Sequence, residues 1–218
     1  MTSALVVFSK DFQSELRTKV SLNTQILFII TTLSIILFSV GDEDILPNYT
    51  ISFYWIVSIF TAMSGLSRVF VKEEERNTNL FLFQLVKPTS VFIGKLIFNT
   101  LFTLFVNLFI MILFSIFFNY FKINLFFILV VFFASIGVAT ISTIVAAIIS
   151  KVNSSTTLYT VLSFPILIPI LMTTILGSQL AVEGAFFSEL RGHLLFLISY
   201  NVALLFTSIF LFTFIWGE

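Results

Sequence analysis

The chain has 218 residues, of which 58% are hydrophobic and only 10% charged, with 11 basic residues balancing 11 acidic ones and no cysteine. A soluble domain carries roughly a quarter charged residues, so this chain cannot cover a water-facing surface and lipid must be its solvent. Zero net charge gives no attraction to nucleic acid, and the lack of cysteine excludes disulfides and thiolate metal sites.

At the amino terminus, charges recur at Lys10, Asp11, Glu15, Arg17 and Lys19, which is not the pattern of a signal peptide. Leu5, Phe8, Phe12, Leu16 and Val20 share one helical face, with Lys10, Gln13, Ser14 and Arg17 opposite. This predicts an amphipathic helix lying in the headgroup region, with Glu15 and Lys19 spaced for an i,i+4 pair.

Six segments then reach the ~20 apolar residues needed to cross a bilayer. They are residues 22–40, 51–71, 96–118, 123–149, 157–177 and 194–216. No alternating barrel pattern is present, so every span is expected to be a helix, which pairs its own backbone groups in lipid. The fold class is therefore an all-α membrane protein. It is expected to form one transmembrane domain over residues 1–218, with the interfacial helix in front and a cytoplasmic segment over residues 72–95. Lys10, Arg17, Lys19, Arg68, Lys72, Arg76, Lys87, Lys95 and Lys151 fall on one side, with only Lys122 and Arg191 on the other. The positive-inside rule then puts both termini in the cytoplasm. Trp55 and Trp216 are expected in the interfacial belt.

No ionisable residue lies in the middle of any span. Proton-driven pumps and voltage sensors need such groups, so a self-powered transporter is disfavoured. Asn99, Thr103 and Asn107 repeat every fourth residue down the third span, and Ser135, Ala139, Thr143 and Ala147 form a small-residue stripe on the fourth. Ser58/Ala62 and Thr61/Gly65 repeat the pattern more weakly on the second. Such faces predict close helix packing and interhelical hydrogen bonds. Pro165 and Pro169 lie one turn apart in the fifth span, where each removes a backbone donor; they are a candidate helix hinge, with a static kink as the alternative. His193 is the only histidine and, with no second ligand nearby in sequence, is expected to be solvated at the outer edge. No catalytic or metal-binding motif is present. Gly94-Lys95 imitates the end of a phosphate-binding loop, but Thr89 stands where the first glycine belongs and Leu96 where the hydroxyl belongs.

The loop after the second span concentrates charge. Glu73, Glu74 and Glu75 precede an apolar run from Leu80 to Val86 that includes Leu82 and Leu85, and Pro88 closes it. Acidic residues favour a helix amino terminus, and helices end before the residue preceding a proline. A short helix over residues 78–86 is expected to lie across the cytoplasmic surface. It is too short to span and too apolar to float, so it is expected to bury itself in a partner's groove or against the membrane.

The chain resembles the membrane permeases of ABC exporters, and within them the cytochrome c maturation permease family CcmB. The resemblance rests on the stretch from Lys10-Asp11 to Arg17, the six-span layout, and Phe70-Val-Lys72-Glu73-Glu74-Glu75 leading through Thr78 to Pro88. It also rests on Val91 to Asn99, including Gly94-Lys95, and on Leu162 to Pro169. Asn77 and Phe81 depart from many relatives, which have glycine and an acidic residue there. The resemblance implies a non-catalytic subunit of the bacterial inner membrane. Its partners would be a separate CcmA-like ATPase that alone binds ATP, CcmC-like and CcmD-like membrane proteins, and a second copy in a homodimer. It also implies haem as cargo, with no covalently bound cofactor, and release of a haem-loaded chaperone. Glu73, Glu74, Glu75, Thr78, Leu80, Leu82, Leu85, Pro88, Gly94 and Lys95 would form the ATPase-coupling set. A lipid, drug or polysaccharide exporter, or a non-transporting scaffold, would share most of these features.

Overall fold

The computed structural model describes residues 2–41, 46–66, 70, 86–118, 121–151 and 156–216. Among these the chain is helical, in seven segments: α1 (Thr2–Thr18), α2 (Val20–Val40), α3 (Pro47–Leu66), α4 (Pro88–Phe117), α5 (Leu125–Lys151), α6 (Thr156–Glu183) and α7 (Phe187–Trp216). All but α1 are long and apolar enough to cross a membrane. The six expected spans are therefore all found, with shifted ends.

The largest shift is at the third span. Its helix starts at Pro88, not at residue 96, because proline suits the first helical position, where its missing N–H bonds nothing anyway. Gly94 and Lys95, expected in the cytoplasmic segment, therefore lie two turns inside α4. A helix of 30 residues is about 45 Å long, which exceeds a ~30 Å hydrocarbon core.

The core sits around α5, which packs on α3, α4, α6 and α7. The rest of the chain covers 61% of the most apolar stretch of both α3 and α5, against 17% for α2, which packs mainly on α3. Two joints at one end fix the register. Asn124 accepts the Phe127 N–H at 2.8 Å, capping the start of α5, and its amide donates to the Ala181 carbonyl near the end of α6. Helix α6 ends in paired bonds from Gly184 N–H to Ala181 and from Ala185 N–H to Leu180, with Gly184 at φ +82°. That left-handed turn lets α7 begin three residues later.

Helix α1 lies across the start of α4 and presents three faces. Leu5, Phe12 and Leu16 are exposed along one face with Phe8 partly covered, while Val20, also exposed, falls beyond α1 at the start of α2. Ala4, Val7 and Glu15 are buried. Lys10, Gln13, Ser14 and Arg17 are exposed on the third. The expected partnership of Glu15 with Lys19 gives way to a different use of the carboxylate. Lys19 takes a left-handed conformation (φ 52°) between the two helices, and Glu15 accepts from Ser21 Oγ and from the Leu22 N–H, both at 3.0 Å. It thereby caps the amino terminus of α2, where the helix dipole favours an anion.

Candidate coupling site

Residues Glu73, Glu74, Glu75, Thr78, Leu80, Leu82 and Leu85 lie outside the described residues, as does nearly all of the helix expected over 78–86. The two ends of the segment are described, and they converge. Phe70 is fully buried among Phe212 and Trp216 of α7, at ring centroid distances of 5.8 and 5.5 Å. Phe92 of α4 meets the same Phe212 at 5.1 Å. Lys95 sits at this junction, 1% exposed, with Nζ 4.7 Å from the Phe70 ring centroid and 3.3 Å from Asp11 Oδ2 of α1. Among the described residues, Glu15 and Lys95 are the only charged side chains that are buried.

Gly94 explains how α1 comes so close. A methyl group there would lie 2.6 Å from the Ala4 carbonyl oxygen and 2.8 Å from Val7 Cβ, so only glycine leaves room for the α1 backbone. Gly94 and Lys95 were singled out in the sequence as parts of an ATPase contact. The structure brings both to the docking surface of α1, with Pro88 opening the same helix.

The two stripes seen in the sequence face one another. Asn99 Nδ2 donates to Thr143 Oγ1 at 2.7 Å, and Asn107 Nδ2 donates to Ser135 Oγ at 2.9 Å. Thr103 is buried and donates to the Asn99 carbonyl. Ala139 and Ala147 are fully buried on the same side of α5 and keep the backbones close. From α3, the Tyr54 hydroxyl donates to Asn107 Oδ1 at 3.3 Å and Ser58 Oγ donates to the same atom. The result is a polar seam through the α3–α4–α5 contact. It holds hydroxyls and amides only, so it can bind by hydrogen bonding but carries no group that exchanges protons at neutral pH.

Helix α6 runs unbroken through Pro165 and Pro169. The prolines deprive the carbonyls of Val161 and Pro165 of their helical donors. Between them, Tyr200 of α7 donates to the Ile166 carbonyl at 3.0 Å, and Thr173 donates to the Pro169 carbonyl at 2.8 Å. Tyr200 thus ties the proline-containing turn of α6 to α7.

Three further expectations change. Trp55 is not a belt residue: it is 1% exposed and its indole N–H donates to Ser178 Oγ at 2.9 Å. Trp216 is buried too, stacked on Phe212. His193 is half-buried with its Cβ against Gly177 of α6, not fully solvated. Residues that sequence reasoning missed are Gln25, which is buried over Gly65 and donates to the Thr61 carbonyl at 3.3 Å, and Asn201, which donates to the Phe133 carbonyl at 2.7 Å. A lone amide in an apolar span was the available signal for both.

Six helices long and apolar enough to span a membrane, with a seam of neutral polar groups where α3, α4 and α5 meet, define a multi-pass membrane protein. Residues 2–215 match the family described as CcmB protein, and the chain belongs to that family of haem-export ABC permeases of cytochrome c biogenesis. No curated protein matches it.

Proposed function

We propose that the chain is the permease subunit that converts ATP hydrolysis by a separate, CcmA-like ATPase into haem delivery across the bacterial inner membrane, leading to release of the haem-loaded chaperone. The observation that carries this reading is the family match over essentially the whole chain. The packing of Phe70, just before the 71–87 segment, on Phe212 and Trp216 of α7 and under Lys95 of α4 supports a coupling role for the segment. A shift that reaches Phe70 would meet packed helices, and interfaces between packed helices transmit such shifts as discrete steps. The lack of buried acids and bases in the seam supports an energy source outside the chain. Both termini face the cytoplasm in this reading, two copies form the working unit, and CcmC-like and CcmD-like proteins complete the assembly. Haem is cargo and ATP is bound by the partner alone.

Co-purification tests the proposal. Replacing Glu74 by Lys and Leu82 by Asp is expected to abolish capture of the ATPase while the permease stays in the membrane. Undiminished capture would show that the segment is not the ATPase contact.

A further inference from the structure

A cavity of about 290 Å³ lies where α1, the start of α2 and α4 meet. Phe12 and Leu16 of α1, Leu22 of α2, and Phe98, Leu101 and Phe105 of α4 stand in its wall. Leu16, Leu101 and Phe105 are 51%, 51% and 54% exposed, so the cavity opens on the outside of the bundle, which the six spans turn to lipid. It exists because α2 packs on α3 and hardly touches α4. Of the described residues in the wall, Glu15 alone is charged, and its carboxylate is engaged by Ser21 and the Leu22 N–H. Apolar cavities of about 150 Å³ stay dry and take up hydrocarbon, so in a membrane this one is filled by a lipid tail. Its wall follows α4 from Phe98 to Phe105, about 10 Å of helix along which a tail can lie.

The charges beside the cavity are sorted by sign. Lys10, Asp11, Glu15, Arg17 and Lys19 are close to balance in the sequence, but folding withdraws the acids. Glu15 is 6% exposed and caps α2, while Asp11 pairs with Lys10 and Lys95. Arg17 and Lys19 stay exposed, and neither makes an ion pair among the described residues. They stand between Leu16 and Leu22 of the cavity wall, in the joint where an interfacial helix hands over to the first span, at headgroup depth. A base there is attracted by acidic lipid and not by zwitterionic lipid. We propose that one anionic phospholipid binds at this corner of the bundle, with an acyl chain in the cavity and its phosphate toward Arg17 and Lys19. Charge complementarity selects this occupant over a second copy of the chain, whose apolar spans would cover the cavity without using the bases. The lipid fills the gap that α2 leaves beside α4, whatever drives the cycle, so the proposal is independent of the coupling role above.

The test uses the full chain in phosphatidylcholine vesicles holding graded amounts of dibrominated phosphatidylglycerol or dibrominated phosphatidylcholine, whose bromines quench tryptophan on contact. Leu101→Trp puts a reporter at the cavity mouth. Trp55 and Trp216 are buried and give a constant background, measured without the substitution. The brominated phosphatidylglycerol is expected to occupy the site at least about fivefold more readily than the brominated phosphatidylcholine, the effect of roughly one base on an acidic lipid. Adding Arg17→Gln and Lys19→Asn is expected to bring that preference to within about twofold. Asparagine suits the left-handed conformation that Lys19 holds at φ 52°. Phe206→Trp, at a 74% exposed position of α7, reports ordinary lipid contact and is expected to show little preference. Three results would overturn the proposal. The Leu101 and Phe206 reporters could show the same preference, which would assign the attraction to the membrane surface at large. The preference at the Leu101 reporter could survive the loss of both bases. Neither lipid could quench that reporter, which would put protein, such as a second copy, over the cavity.

Discussion

Asn107 and Asn99 occupy equivalent turns of one helix yet carry unequal loads. Asn107 holds Tyr54, Ser58 and Ser135 from two neighbouring helices. Asn99 bonds Thr143 through its amide nitrogen, and its buried Oδ1 meets no donor among the described residues. Asn107→Leu is therefore expected to cost about 1–3 kcal/mol, since it strands several groups, and Asn99→Leu less than about 1 kcal/mol. Reversible unfolding in mixed micelles would rank the two, and an equal cost would show that the seam is not organised around Asn107. Trp55 gives a second residue-level expectation. In a Trp216→Phe background its emission should be blue-shifted and resist quenching by aqueous acrylamide, because the indole is sealed against Ser178. A belt tryptophan would be quenched.

At the level of elements, Gly94→Val should push α1 off α4, because the side chain would occupy the space of Ala4 and Val7. Overpacking of this kind costs about 1–3 kcal/mol, and hydrogen exchange over residues 2–18 should speed up while the α5 amides stay protected. Replacing Pro165 and Pro169 together by alanine should leave the assembly intact and lower ATP-driven turnover severalfold if α6 bends in the cycle; unchanged turnover would make the kink static. The existence and type of these elements could be read from the sequence because twenty apolar residues in lipid admit one local solution, the helix. The polar stripes were legible as well, since four-residue spacing places Asn99, Thr103 and Asn107 on one face. Pairing was not. Nothing in the spacing of Asp11 or Lys95 says that residues so far apart in the chain meet, and Trp55 carries the composition of a belt residue while its position depends on where α6 passes. The start of α4 was misplaced because Lys95 looks like an interfacial charge until Asp11 and Phe70 cover it.

For the molecule as a whole, orientation is the property on which the proposed energy flow depends. Asn77→Cys should react with an impermeant thiol reagent only after the cells are opened, whereas Ala185→Cys, in the turn between α6 and α7, should react in intact cells. The opposite pattern would place the charged segment outside and remove the ATPase from the scheme. The cap that Glu15 places on α2 has a consequence for biogenesis. Its partners, Ser21 and Leu22, follow within seven residues, so the anchor and first span can form as a unit as soon as they leave the ribosome. The Asp11 contact instead waits for residue 95. A nascent chain halted before that point holds an acidic side chain at the membrane surface with its later mate not yet made, and the anchor stays undocked until the third span arrives.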